Sequence, residues 1–190
     1  MNINVTVCNL LNTDSLVIVN PANVTLRHES GAAKTIADAA GELLVKECNE
    51  YVEKNGPLQV AQPVLTTSGK LAPGKLAVMH VAGPNCAEEP FRNGSILAQK
   101  TMEESYYNCL KLADVTHGCS SIALPALSAG FFGAHQWEIA LAAANAIKRF
   151  DVDTASAPGK LLRVELANLT LTMADVMSVV FRKNIYGITC

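Results

Sequence analysis

The sequence predicts a three-layer α/β/α sandwich built around a mixed central sheet, and three observations point there. Short strand-like runs alternate with segments whose apolar residues recur at helical spacing. Two of the runs are continuously apolar, as strands buried on both faces are. With 190 residues, 49% of them hydrophobic, the chain can bury the core that such a sheet needs, so the expectation is one domain spanning 1–190.

Each element follows from its residues. Ile3, Val5 and Val7 alternate with polar neighbours and read as a half-buried strand, and Leu16-Val17-Ile18-Val19 reads as a buried one. Ala33, Ile36, Ala37, Ala40 and Leu44 share one helical stripe, which predicts a helix from the thirties to the late forties. Asn55-Gly56-Pro57 is a turn, and strands are expected from Val60 to Thr67 and from Leu76 to Ala82, the first at an edge because of Pro63. Ala98, Met102, Tyr106, Cys109, Leu110 and Ala113 predict a second helix. A buried strand, Ser121 to Leu124, and a third helix carrying Trp137, Ala140, Leu141, Ala144 and Ile147 follow. Asp151 to Lys160 reads as a surface loop, followed by a strand within Leu161 to Leu171. The last helix carries Met173, Val176, Met177 and Val180, with Thr172 as its N-cap.

Composition excludes several partners. A net charge of −2 and few aromatics leave no basic footprint for nucleic acid. Cys8, Cys48, Cys86, Cys109, Cys119 and Cys190 form no C-x-x-C pair, so they are expected as reduced thiols with no metal site. No apolar run has membrane-spanning length and the start lacks a signal-peptide pattern, which gives an expected cytoplasmic or nuclear location. Sequons at Asn4, Asn23, Asn93 and Asn168 carry no weight without such a signal.

In sheets of this kind ligands bind beyond the carboxyl ends of the strands, so the strand-to-helix loops are the places to search. The first runs from Asn20 to Ala33. Its Asn20-Pro21-Ala22-Asn23 could bond local backbone in a long turn, but Val17-Ile18-Val19-Asn20-Pro21-Ala22-Asn23 with Ala39-Ala40-Gly41 resembles the macro-domain pattern of a strand ending in Asn-x-x-Asn, a glycine-rich loop and a helix ending in a small-residue turn. The second loop, Pro125-Ala126-Leu127-Ser128-Ala129-Gly130-Phe131-Phe132-Gly133, has small residues whose amides could converge on an anion at a helix start. It is similar to the diphosphate loop of the same family, and His80-Val81-Ala82-Gly83-Pro84 matches a further family segment. The resemblance extends from about Val5 to the last helix, and is nearest to macro domains of ADP-ribosyltransferases, macroH2A and coronaviruses.

That resemblance implies a module binding ADP-ribose, free or on modified protein, with no cofactor, and forming part of a larger protein. The ligand-binding set it implies is Asn9, Leu10, Ala22, Asn23, His28, Ser30, Gly31, Ala32, Ser128, Ala129, Gly130, Phe131, Phe132, Gly133 and Leu171. Asn23 would touch the distal ribose, and one of the two phenylalanines would lie beside it. Asn9 stands where the family reads adenine with Asp, and Leu171 where an aromatic often stacks on adenine. His28-Glu29-Ser30 replaces glycines of the first loop, and Ala33 replaces the Asp that activates water in many hydrolytic members. Glu29 is the nearest carboxylate and the only candidate for a catalytic base, so the expected activity is binding rather than hydrolysis. The alternatives are an ADP-ribosyl hydrolase or O-acetyl-ADP-ribose deacetylase of the same fold, and a scaffold that has lost the ligand.

Other motifs fail on chemistry. Gly69-Lys70-Leu71-Ala72-Pro73-Gly74-Lys75 has P-loop spacing but is followed by Leu76, not Ser or Thr, and by a strand; it reads as a hairpin-like turn with two surface lysines. There is no G-x-G-x-x-G for a dinucleotide and no G-x-S-x-G to make Ser128 and His135 an esterase pair. His80 is expected to pack inside.

Overall fold

The computed structural model describes residues 1–156 and 159–185; Cys190 and the middle of the expected 151–160 loop lie outside them. Six strands form one sheet: β1 (Asn2–Val7), β2 (Val17–Pro21), β3 (Val64–Thr67), β4 (Ala77–Val81), β5 (Ser121–Leu124) and β6 (Arg163–Asn168). Their order is β1-β6-β5-β2-β4-β3. Every neighbouring pair is parallel except β3 with β4, so the sheet is mixed as expected.

Alternation along the strands sends side chains into two separate cores. Val17, Val19, Met79, Val81, Ile122, Leu124, Val164 and Leu166 face the layer made by α3 (Ile96–Val115), α4 (Gln136–Thr154) and α5 (Leu171–Asn184). Ile18, Val78, Ala123 and Ala167 face the layer made by α1 (Gly31–Ala40) and α2 (Glu42–Asn55), joined by Leu10, Leu26 and Leu58.

Several boundaries differ from expectation, each for a local reason. The expected single helix of the thirties and forties is two helices. Gly41, at φ 85°, ends α1 with its amide on Ala37 O at 2.8 Å, and α2 restarts at once with Glu42 in its first turn, where a carboxylate suits the helix dipole. The Val60–Thr67 strand shrinks to Val64–Thr67, because Ala61 adopts φ 65° and turns the chain before Pro63. Helix α4 runs to Thr154, into the segment expected as a loop, since Phe150 still packs in the core. The cap of α5 is Thr170 rather than Thr172, with Thr170 Oγ1 accepting from the Met173 amide at 3.3 Å. Trp137 leaves the core stripe and is half exposed, and Lys75 is buried with its ammonium donating to Thr13 O, not a surface lysine.

Candidate functional site

Because β1, β6, β5, β2 and β4 run parallel, their carboxyl ends share one edge, and the loops that leave them gather there. Strands β2 and β5 are neighbours, so the loops carrying Asn23 and Gly130 spring from adjacent positions at the centre of that edge. Asn9 and Leu10 follow β1 and Leu171 follows β6, on the flank formed by the β1–β6 pair.

The first loop closes on itself. Asn23 Oδ1 accepts from the Thr25 amide at 3.1 Å, Thr25 Oγ1 at 3.0 Å and the Arg27 amide at 3.0 Å, while its Nδ2 donates to Arg27 O at 3.1 Å. Leu26, at φ 52°, drops into the α1–α2 core and is buried. The Ala22 amide donates to Val81 O at 2.9 Å, tying the loop to β4. Ser30 begins α1 without a side-chain cap, which leaves the first-turn amides of Gly31 and Ala32 open to another acceptor. Arg27 and Glu29 form an exposed pair at 3.7 Å, so Glu29 points into solvent, and Ala33 is buried and brings no proton acceptor.

Beneath this loop lies a buried polar cluster that the sequence reading missed apart from His80. Asn20 Nδ2 is 3.0 Å from His80 Nδ1, and Thr66 Oγ1 is 2.8 Å from His80 Nε2. The His28 ring lies 5.9 Å from that of His80, so His28 turns inward rather than over the edge, and its ring nitrogens have no partner among the described residues. Burial pulls the His80 pKa down to about 3, with the neighbouring His28 adding to the shift, and burial also lowers that of His28. Both rings are neutral near pH 7 and supply no positive charge to an anion. The signal for Asn20 and His80 was present: each stands two residues beyond an apolar residue of the same buried face, Ile18 and Val78.

The second loop is pinned from behind and open in front. Tyr106 Oη donates to Pro125 O at 3.0 Å and accepts from the Leu127 amide at 2.8 Å, and the Ala134 amide returns to Ser128 O at 3.0 Å. Between these ties Ser128 adopts φ 60° and Gly130 φ 64°, and a single 3-10 turn covers Gly130–Phe132. Among the described residues, the amides of Ser128, Ala129, Gly130 and Phe131 have no protein acceptor, and the buried Ser128 hydroxyl has no partner. Ala129, Gly130 and Gly133 are exposed, Phe132 is half-buried, and Phe131 is 90% exposed and so is not a core aromatic. Unpaired amides on a rigid turn are donors that an anion can satisfy without a cationic side chain.

On the β1–β6 flank, Asn9 Oδ1 accepts from the Leu11 amide at 3.0 Å and starts a 3-10 turn. Leu10 is buried, while Leu171 is 66% exposed at the start of α5. A nucleobase there would meet an aliphatic face. A broad groove of about 1140 Å³ starts at the first loop, where Leu26, Arg27, His28 and Glu29 line it, and runs along α1 and α2 to Lys70; its charged groups include the Lys46–Glu50 pair at 3.6 Å. Among the described residues, no group of three or more His, Cys, Asp or Glu could hold a metal ion, and no helix is long and apolar enough to cross a membrane.

The family model described as Macro domain matches residues 19–144, more than half of the chain and inclusive of both loops. The chain is 35% identical over 133 residues to the O-acetyl-ADP-ribose deacetylase of Salmonella typhimurium, covering 70% of each. It is 37% identical over 116 residues to an uncharacterised protein of Pyrobaculum aerophilum, a match that takes in 61% of this chain and 58% of that relative. Among solved structures, a mutant Oceanobacillus iheyensis macrodomain with ADPR superposes with a TM-score of 0.83 at 25% identity, covering 96% of this chain and 92% of that one.

Proposed function

Since the chain belongs to the macro domain family, we propose that it is a single macro domain, 1–190, that binds ADP-ribose at the carboxyl edge of its sheet and hydrolyses it from proteins weakly or not at all. The observation that carries the binding is the second loop, whose amides from Ser128 to Phe131 are unpaired among the described residues, and the adjacent strand β2 leads through the first loop to the uncapped start of α1. A diphosphate between them would take hydrogen bonds from fixed amides and a favourable helix dipole. In this pose the adenine lies on the Asn9–Leu171 flank and the distal ribose beside Asn23 and Phe132. The structure of the mutant Oceanobacillus macrodomain with ADPR supports the reading.

The deacetylase likeness supports the fold and ligand class more than the reaction. A base within reach of the attacking water speeds hydrolysis, and without one only the bound phosphate is left to position that water. Ala33 supplies no base, and Glu29 is an exposed carboxylate held by Arg27. The expected role is therefore recognition of ADP-ribose, free or on modified protein. Its test pairs two assays. ADP-ribose at millimolar concentration should raise the melting temperature by several degrees, as saturation with a micromolar ligand does. Protein ADP-ribosylated on Asp or Glu should keep its modification when incubated with the domain. Robust release of ADP-ribose would replace the reader by an enzyme, and no thermal shift would leave the scaffold reading.

A further inference from the structure

We infer that Gly83 is a positioning residue for the second loop, acting through the hydroxyl of Ser128; the inference rests on the ADP-ribose reading above and names what fixes the height of its diphosphate loop. Gly83 follows β4 and is buried. A Cβ built on it would stand 2.3 Å from Ser128 Oγ and 3.6 Å from both Ser128 Cβ and the Ser128 amide nitrogen. Only the hydroxyl is too close, for 3.6 Å is ordinary contact. Nor does backbone conformation call for glycine there, because Gly83 is not among the residues with positive φ. What requires the missing side chain is the place of one oxygen.

That oxygen is unusual in three respects. It is buried, it has no hydrogen-bond partner among the described residues, and it belongs to a non-glycine residue at φ 60°. A left-handed serine is strained and persists where its surroundings hold it. Here they hold it from three sides: Tyr106 through Pro125 and Leu127, Ala134 through Ser128 O, and Gly83 by leaving room. A methyl group at position 83 would force Ser128 Oγ from its place, and where the buried side chain has no room to rotate, the loop and its amides move with it, out of register with an anion in front of the loop. The end of β4 thereby governs a loop that follows β5, two strands away in the sheet.

The test is a double-mutant cycle read by titration with ADP-ribose, using Gly83→Ala, Ser128→Gly and the pair. Ser128→Gly removes the hydroxyl and suits the positive φ. Alone, Gly83→Ala should weaken binding about tenfold or more, whereas in the Ser128→Gly background the same change should alter affinity less than about twofold. Where Gly83→Ala alone fails to fold, recovery of folding by the double variant would locate the clash at Ser128 Oγ, and its ADP-ribose affinity should then lie within about twofold of that of Ser128→Gly. Equal losses in both backgrounds, or a double variant that also fails to fold, would overturn the inference, since the methyl would then be colliding with something other than Ser128 Oγ. Failure of the wild type to bind ADP-ribose would refute the underlying reading instead, and the two failures are told apart by the first titration.

Discussion

The two loops at the carboxyl edge solve opposite problems. In the first, the Asn23 side chain is spent inside the loop on four hydrogen bonds to Thr25 and Arg27, His28 folds under toward His80, and donors stay open only at its end, where α1 begins. In the second, consecutive amides and the Ser128 hydroxyl are held in place with no partner among the described residues. A loop that satisfies itself is a wall, and a loop whose donors are fixed but unpaired is a receptor. The energetic weight of ligand binding should therefore sit in the second loop, and changes to the first should act mostly through stability.

The largest effect expected is at Gly130. A Cβ there meets no protein atom within 4 Å, so it points into the open space before the amides. Gly130→Val should reduce ADP-ribose affinity by about a hundredfold, near 2.8 kcal/mol. Because φ is 64°, valine also strains the backbone, and a loss of about 1–2 kcal/mol in unfolding free energy should accompany it, measured by urea titration. Unchanged affinity would make the second loop a plain turn and erase the contrast.

Next in size is a pH effect confined to the ground under the first loop. His80 stays neutral when folded, with a pKa near 3, but takes up a proton at its ordinary value once unfolded. The unfolded state thus binds more protons in acid. The stability this site contributes is full above pH 6.5 and falls by roughly 1.4 kcal/mol for each unit below it, until the folded pKa is reached. Between pH 7.5 and 5 the wild type should lose about 2 kcal/mol more than His80→Gln does. Parallel pH profiles for the two proteins would show that the cluster does not titrate in this way.

Asn23→Ala comes third. Removing the clasp should cost about 1–2 kcal/mol of stability and lower ADP-ribose affinity no more than about tenfold, seen by urea unfolding and calorimetry together. An affinity loss beyond that of Gly130→Val would reverse the ranking of the loops. Smallest of all, Glu29→Ala should change stability by less than about 0.5 kcal/mol, because an exposed pair with Arg27 is worth little. Nor should it alter any release of ADP-ribose from modified protein; a loss of such turnover would identify Glu29 as a base.

Much of the fold was legible because its cues are local. Apolar runs fixed β2 and β5, and helical stripes located α3, α4 and α5. What was not legible depended on tertiary context. Gly41 lies within the span of one apolar stripe, which periodicity reads as a single helix; its φ of 85° breaks that helix at the small-residue turn the family pattern has there. Lys75 looks like a surface residue in a turn until the Thr13 carbonyl closes over its ammonium. At the site, residue types marked both loops, but not which way the side chains turn. His28 replaces a family glycine and would crowd a ligand if it pointed outward, yet it packs against His80. Gly83 was visible only as part of a Gly-Pro pair, since its meaning comes from an oxygen 45 positions along the chain.

The most direct measurement is calorimetric titration of the wild-type domain with ADP-ribose. We expect one site per chain and a dissociation constant in the micromolar range, about −8 kcal/mol, with the uncharged Asn9 and aliphatic Leu171 shifting it toward weaker binding. Heat of dilution only, at millimolar ADP-ribose, would contradict the assignment of the second loop as a diphosphate receptor.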